Sequence, residues 1–172
     1  MKLFGISEDN EFKEYIKSAF QAQFEEAVLE DWLENNPRSI LEDGALLLIG
    51  RQVTTNLNSI IDLLGIDRQG NLVVVELKRD RTPREAVAQA LEYAAWASGL
   101  TYDRIVSIAS QHFNTEDRFL TAFRNQFSQD LPDALNQTQR ILLVAPRIPD
   151  GVRSLIEYLA EAYGIPINAV SF

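Results

Sequence analysis

Apolar positions follow two periods along this chain, and the changes of period mark out its elements. The spacing predicts a short amphipathic helix over Phe12–Phe20. Phe24, Val28, Leu29, Trp32 and Leu33 recur at helical spacing and predict a second helix, Phe24–Asn35, ending at Asn36-Pro37. Leu46–Thr54, Ser59–Asp67 and Asn71–Leu77 read as three strands. Thr82–Ser98 reads as a helix: Thr82 is the expected N-cap, Pro83 fits the first turn, Glu85 completes a capping box and Gly99 is the stop. Its Ala86, Ala90, Ala94 and Ala97 form a small-residue face suited to close packing on a sheet. A strand is expected at Asp103–Ser110, a helix at Thr115–Phe127, a strand at Arg140–Pro146, a helix at Gly151–Tyr163 and a last strand at Ile167–Phe172. The order is α-β-β-β-α-β followed by α-β-α-β. It predicts an α/β (α+β) fold, a central mixed β-sheet flanked by helices. With no repeat, low-complexity tract or linker, residues 1–172 are expected to form a single domain.

The strands at 59–67 and 71–77 carry the candidate chemistry. Arg68-Gln69-Gly70 between them fits a three-residue hairpin loop with Gly70 at its left-handed position. Closing that loop pairs Asp67 with Asn71, and the register then sets Asp62 directly across from Glu76, with Cβ atoms roughly 5 Å apart. Two facing carboxylates repel, so the pair needs a cation or a shared proton. A hard divalent ion such as Mg2+ (or Mn2+) suits an all-oxygen site held by Asp62 and Glu76. Strand side chains alternate faces, so Lys78 lies on the same face as Glu76, about 7 Å along the strand.

Composition narrows the partners. The chain is 46% hydrophobic and 24% charged, within the globular range. No apolar run exceeds the five residues of Ala45–Ile49, so no membrane-spanning segment is expected. The opening M-K-L-F-G-I-S-E-D lacks the apolar core of a signal peptide, and the absence of Cys fits a reducing cytoplasm. With one His, a His-based zinc site is disfavoured. The net charge of −9 argues at first against nucleic acid, but residues 1–45 hold 11 acidic and 4 basic side chains, most of the imbalance. Lys78–Arg84 has four basic residues against Asp80 alone, a basic strip beside the carboxylates.

The ordered set Asp62, Glu76-x-Lys78 and a following helix with Gln89 resembles the PD-(D/E)XK nuclease superfamily, the restriction-endonuclease-like fold. The resemblance is closest to the nuclease domain of the NucS-type endonucleases and their uncharacterised relatives. It rests on Glu26-x-x-Leu29-x-x-x-Leu33-x-x-Asn36-Pro37, Ile61-Asp62-Leu63-Leu64, Asp67-x-x-Gly70, Val74-Val75-Glu76-Leu77-Lys78 and Gln89-Ala-Leu-x-Tyr93. It covers a catalytic core of about residues 24–110. Ile61 stands where the superfamily pattern has Pro, and no counterpart of the separate N-terminal domain of the mismatch endonucleases is expected within residues 1–172.

The resemblance implies a metal-dependent endodeoxyribonuclease acting on DNA in repair or defence and leaving 5′-phosphates. Asp62 and Glu76 become metal ligands, and Lys78 orients or helps deprotonate the attacking water. Glu26 holds a metal-bound water, and Gln89 contacts the scissile strand. Arg79, Arg81 and Arg84 are candidate phosphate contacts. Tyr93, Trp32 and Trp96 are expected to pack, and His112, expected in a loop, has no assigned role. Cutting both strands of a duplex favours a homodimer. Two alternatives stand beside this reading: a nuclease-like nucleic-acid-binding module without catalysis, and a structural or regulatory protein with a fortuitous acidic pair.

Overall fold

The chain reverses at Gly70, whose φ of +84° is the left-handed conformation that a residue with a Cβ adopts at a cost. Asp67 fastens this turn: its Oδ1 accepts the main-chain N–H groups of Gln69 and Asn71 at 2.9 and 2.8 Å. From there the strands zip in the expected register, from Ile66↔Leu72 to Leu63↔Val75. The structure, a computed structural model, describes residues 3–6, 12–15, 26–35, 46–56 and 58–171.

The described elements are β1 (Leu3–Ile6), β2 (Phe12–Tyr15), α1 (Glu26–Asn35), β3 (Leu46–Thr54), β4 (Ile60–Asp67), β5 (Leu72–Leu77), α2 (Arg84–Ser98), α3 (Tyr102–Phe113), α4 (Glu116–Phe127), β6 (Gln139–Ala145), α5 (Asp150–Tyr163) and β7 (Ile167–Ser171). A five-stranded sheet runs in the order β3-β4-β5-β6-β7. Its first three strands are antiparallel neighbours, whereas β6 and β7 join in parallel. The mixed sheet flanked by helices is the expected fold class.

The alternation of β5 assigns the two faces. Leu72 and Val74 pack with Tyr93 and Ala97 of α2, Ile105 of α3 and Phe119 and Phe123 of α4. Val73, Val75 and Leu77 pack on the other face with Leu29 and Leu33 of α1. Every residue of β5 is buried, as a central strand covered on both faces requires.

Three expectations change. Asp103–Ser110 is helical, part of α3. Its Ile and Val residues resemble a strand in composition, but Ile105, Ile108 and Ala109 share one buried helical face, and Thr101 caps the helix by accepting the Arg104 N–H at 3.3 Å. Phe12–Tyr15 is a strand paired with β1, from Leu3↔Tyr15 to Ile6↔Phe12; four residues are too few for period to separate helix from strand. The remainder of that expected helix, and Phe24, lie outside the described residues. The capping box at Thr82 is not formed: Pro83 is the N-cap of α2, without a side-chain cap. The Thr82 N–H instead donates to Arg147 O at 3.0 Å, which ties the segment to the chain after β6. Gly99 does end α2, in the right-handed rather than the left-handed conformation.

Candidate functional site

Glu76 is the sixth residue from the Asn71 turn, and it continues the face of Leu72 and Val74, the side covered by α2. It is 1% exposed, and a carboxylate this deep is costly unless paired. Lys78 Nζ donates to Glu76 Oε1 in an ion pair. Lys78 follows the last residue of β5, and its main-chain N–H donates to Val144 O at 2.8 Å, so β6 keeps it in line with the strand. Two residues apart on a strand, the two side chains share a face, and the pair closes across one pleat.

Asp62 approaches from β4. Continuing the register past Leu63↔Val75 sets it opposite Glu76, on the face of Leu64 and Ile66. Its Oδ2 accepts the Leu77 N–H at 2.8 Å, a side-chain bond that replaces a ladder rung where the strands part. The half-buried carboxylate is thereby pinned against β5 rather than left to swing in solvent.

Tyr93 of α2, expected to pack, does so on the sheet face that Glu76 and Asp62 continue. It is 1% exposed within the core, but its hydroxyl accepts from Gln89 Nε2 at 2.6 Å. Burial pushes the Tyr93 phenol up from its ordinary value of 10.0; the Gln89 hydrogen bond pulls down, the Glu76 and Asp62 charges push up further, and Lys78 pulls down. One phenol thus feels both carboxylates and the ammonium. The spacing of Gln89 and Tyr93, four apart on the small-residue side of α2, was the available signal. A neutral phenol can donate to a carboxylate, whereas a phenolate there would repel it.

This makes a pH prediction. The folded-state pKa lies above the unfolded value of 10.0, so the protonated phenol's contribution is intact below that value and is lost as pH rises through the folded pKa. Tyr93→Phe should therefore flatten the alkaline fall of the melting temperature above about pH 10, read by circular dichroism across pH 8–11. An unchanged alkaline limb would remove Tyr93 from the charged cluster.

The other expected residues are dispersed. Gln89 is exposed and one of its amide hydrogens goes to Tyr93. Glu26 is the first residue of α1, whose Leu29 and Leu33 cover the opposite face of the sheet; its side chain lies outside the described residues. Arg79, Arg81 and Arg84 are exposed along the segment from β5 to α2. His112 belongs to the last turn of α3, not a loop, and its Nε2 lies 3.8 Å from Glu34 Oε1. Trp96 packs partly against the core, but Trp32 is 46% exposed rather than core.

Beside the sheet, Arg51 of β3 reaches three acids of α1: Glu30 at 2.9 Å, Asp31 at 2.5 Å and Glu34 at 3.2 Å. Gln52 Nε2 adds a 2.7 Å bond to Glu30 Oε1. Partial burial lowers the Arg51 pKa, and the bonds to Glu30 and Asp31 outweigh it and raise the value.

As a metal site, Asp62 and Glu76 offer only carboxylate oxygens, the donor chemistry of a hard divalent cation that keeps water in the rest of its shell. Among the described residues no group of three or more His, Cys, Asp or Glu side chains is placed to hold a metal ion. Among these residues no helix is long and apolar enough to cross a membrane.

Residues 25–99 match the family described as the endonuclease NucS C-terminal domain. The chain is 27% identical over 134 residues to endonuclease NucS of Pyrococcus furiosus, covering 78% of this chain and 36% of that protein. It is 40% identical over 63 residues to endonuclease NucS of Sulfolobus acidocaldarius, covering 37% of this chain and 24% of that protein. The chain thus spans about a third and a quarter of the length of these relatives. It is also similar to a crystal structure of a repair endonuclease from Pyrococcus abyssi, with a TM-score of 0.47 at 23% identity, covering 87% of this chain and 48% of that one. The segment that holds Asp62, Glu76, Lys78, Gln89 and Tyr93 is therefore NucS-like in sequence, the same family that the spacing of those residues resembles.

Proposed function

We propose that this chain is a Mg2+-dependent DNA endonuclease that hydrolyses phosphodiester bonds in DNA repair, with Asp62, Glu76 and Lys78 at its centre. The observation that carries this reading is the hairpin register, whose continuation past Leu63↔Val75 brings two carboxylates opposite one another, with the Lys78 ammonium on one of them. The relatives named endonuclease NucS supply DNA cleavage as the activity to test.

Asp62 and Glu76 hold the ion. When bound, Mg2+ (or Mn2+) makes water nucleophilic near neutral pH and offsets charge developing on the phosphoryl oxygens. Lys78, kept in place by Glu76, orients the attacking water and sets a positive charge beside the phosphorus. The water oxygen bonds to phosphorus, the bond to the 3′-oxygen breaks, and the product keeps a 5′-phosphate. Gln89 has a second amide hydrogen for a phosphate oxygen of the bound strand. Tyr93 stays protonated and steadies the carboxylates from the α2 side. Arg79, Arg81 and Arg84 supply positive charge along the strand's path.

The test is Asp62→Asn. An amide oxygen can still accept the Leu77 N–H, and the change removes one of two repelling charges. The metal-free melting temperature should hold or rise. Stabilisation of wild type by Mg2+ should reach about 2.7 kcal/mol at a hundredfold excess over Kd and vanish in the variant. A clear drop in metal-free melting temperature would instead make Asp62 a structural acid. DNA bound but never cut, with Mg2+ or Mn2+, would overturn the enzyme reading in favour of a binding module.

A further inference from the structure

Just beyond the candidate site, the chain between Lys78 and α2 forms one wall of a cleft of about 310 Å³ lined by Arg81, Thr82, Arg84, Glu85, Pro149 and Gly151, among others. Two helices begin there. Pro83 is the N-cap of the 15-residue α2, and Pro149 is the N-cap of the 14-residue α5; neither proline caps its helix through a side chain, although Pro83 O accepts the Ala86 N–H and Pro149 O those of Val152 and Arg153. Each helix start carries partial positive charge and outward-pointing N–H groups.

Three further observations point to an anion. Arg84 reaches across to the second helix: a Cβ on Gly151 would lie 3.6 Å from Arg84 Nη2. A guanidinium at the positive end of a helix is unfavourable unless negative charge joins it. Arg81 and Arg147 are partners in a parallel bridge, which sets two arginines side by side. Like charges so placed repel. Thr82 lines the cleft yet is 1% exposed, and its buried Oγ1 has no hydrogen-bond partner among the described residues. A buried hydroxyl is normally satisfied, and an oxyanion oxygen would accept its proton. Glu85 in the first turn of α2 and Asp150 in that of α5 oppose this, each offsetting part of the positive end of its helix.

We propose that this cleft is a phosphate-binding site, holding one backbone or terminal phosphate of a nucleic-acid strand between the starts of α2 and α5. This rests on the nuclease reading. Thr82 is four residues beyond Lys78, at most about 14 Å of chain, so the cleft lies within that reach of the candidate site. The Thr82 hydroxyl and Arg84 make the contacts, Arg81 and Arg147 supply charge, and Gly151 leaves room for the ligand.

The experiment is an NMR titration of the full chain in EDTA at constant ionic strength, so that neither metal binding nor cleavage enters. The probes are inorganic phosphate and tetranucleotides with and without a 5′-phosphate. Saturable shifts are expected at Arg84, Glu85, Gly151 and Val152, from phosphate and from the oligonucleotides. The 5′-phosphorylated form binding tighter assigns a strand end, and equal binding of the two assigns a backbone phosphate. Arg84→Gln should weaken binding about tenfold, the scale of one hydrogen bond to a charged group. Thr82→Val should weaken it while Thr82→Ser preserves it. Glu85→Gln, an exposed change that leaves the fold intact, should tighten it several-fold. Shifts that do not saturate, or an unchanged affinity in Glu85→Gln and Arg84→Gln, would overturn the site. Binding of inorganic phosphate without either oligonucleotide would overturn the strand assignment. Mg2+ stabilisation of the same samples through Asp62 reports separately on the nuclease reading.

Discussion

Lys78→Met is expected to slow DNA cleavage by roughly two orders of magnitude or more, the scale seen when one preorganised charge-stabilising group is lost. It is expected also to destabilise the metal-free protein by about 3 kcal/mol. Both effects have one origin. Glu76 is 1% exposed, and the Lys78 ammonium that meets its Oε1 is itself partly sheltered. Methionine keeps much of the stem and deletes the charge, which strips the buried carboxylate of its ammonium. Breaking a buried pair from one side costs far more than the pair contributes, because a charge stays behind. Saturating Mg2+ should therefore restore much of the lost stability without restoring turnover. The double variant Lys78→Met/Glu76→Gln should regain stability in the absence of metal, a non-additivity that identifies the pair as the cause. Rates across a Mg2+ series and thermal melts of the three variants read both effects. Wild-type cleavage by Lys78→Met at saturating Mg2+ would make Lys78 a bystander.

The second large effect belongs to Arg51. Arg51→Met should lower stability by about 3 kcal/mol, near the lower end for breaking a buried pair, since Glu30 is buried but Arg51 is partly exposed. One guanidinium gathers Glu30, Asp31 and Glu34 and so fastens α1 to β3. Without it, Glu30 keeps only the Gln52 amide among these contacts, and three acids of one helix repel. Glu30→Gln in the same background should recover part of the loss. Denaturant melts of the two variants give the comparison, and an Arg51→Met within a few tenths of a kcal/mol of wild type would reduce the cluster to a solvated surface network.

The site was legible in the sequence to the extent that one turn fixed it. Gly70 and the Asp67–Asn71 closure determine the register, and the register determines which carboxylates face each other. The covered strands were legible for a related reason: Leu72–Val75 is apolar at every position, as a strand buried on both faces must be. What failed was local. Ile105, Val106 and Ile108 look like a strand by composition, yet they sit on a helix whose Thr101 cap lies just outside the segment read as strand. Thr82 and Glu85 matched a capping box, but the Thr82 N–H was needed to bind Arg147 O across the sheet end. Tyr93 was missed because an aromatic on an alanine-rich face is usually core, and it is core; only the tertiary fold brings it within electrostatic reach of the carboxylates. Shared-face geometry brings Lys78 beside Glu76, and the structure forms the two into an ion pair.

Cleavage of end-labelled DNA, single-stranded, duplex, branched and mismatched, by wild type and Asp62→Asn across a Mg2+ series tests the central claim most directly. The account predicts products bearing 5′-phosphates from at least one of these substrates, absent in EDTA and reduced by two or more orders of magnitude in the variant at every Mg2+ concentration. Asp62→Asn cutting at the wild-type rate, or wild type cutting equally well in EDTA, would contradict it.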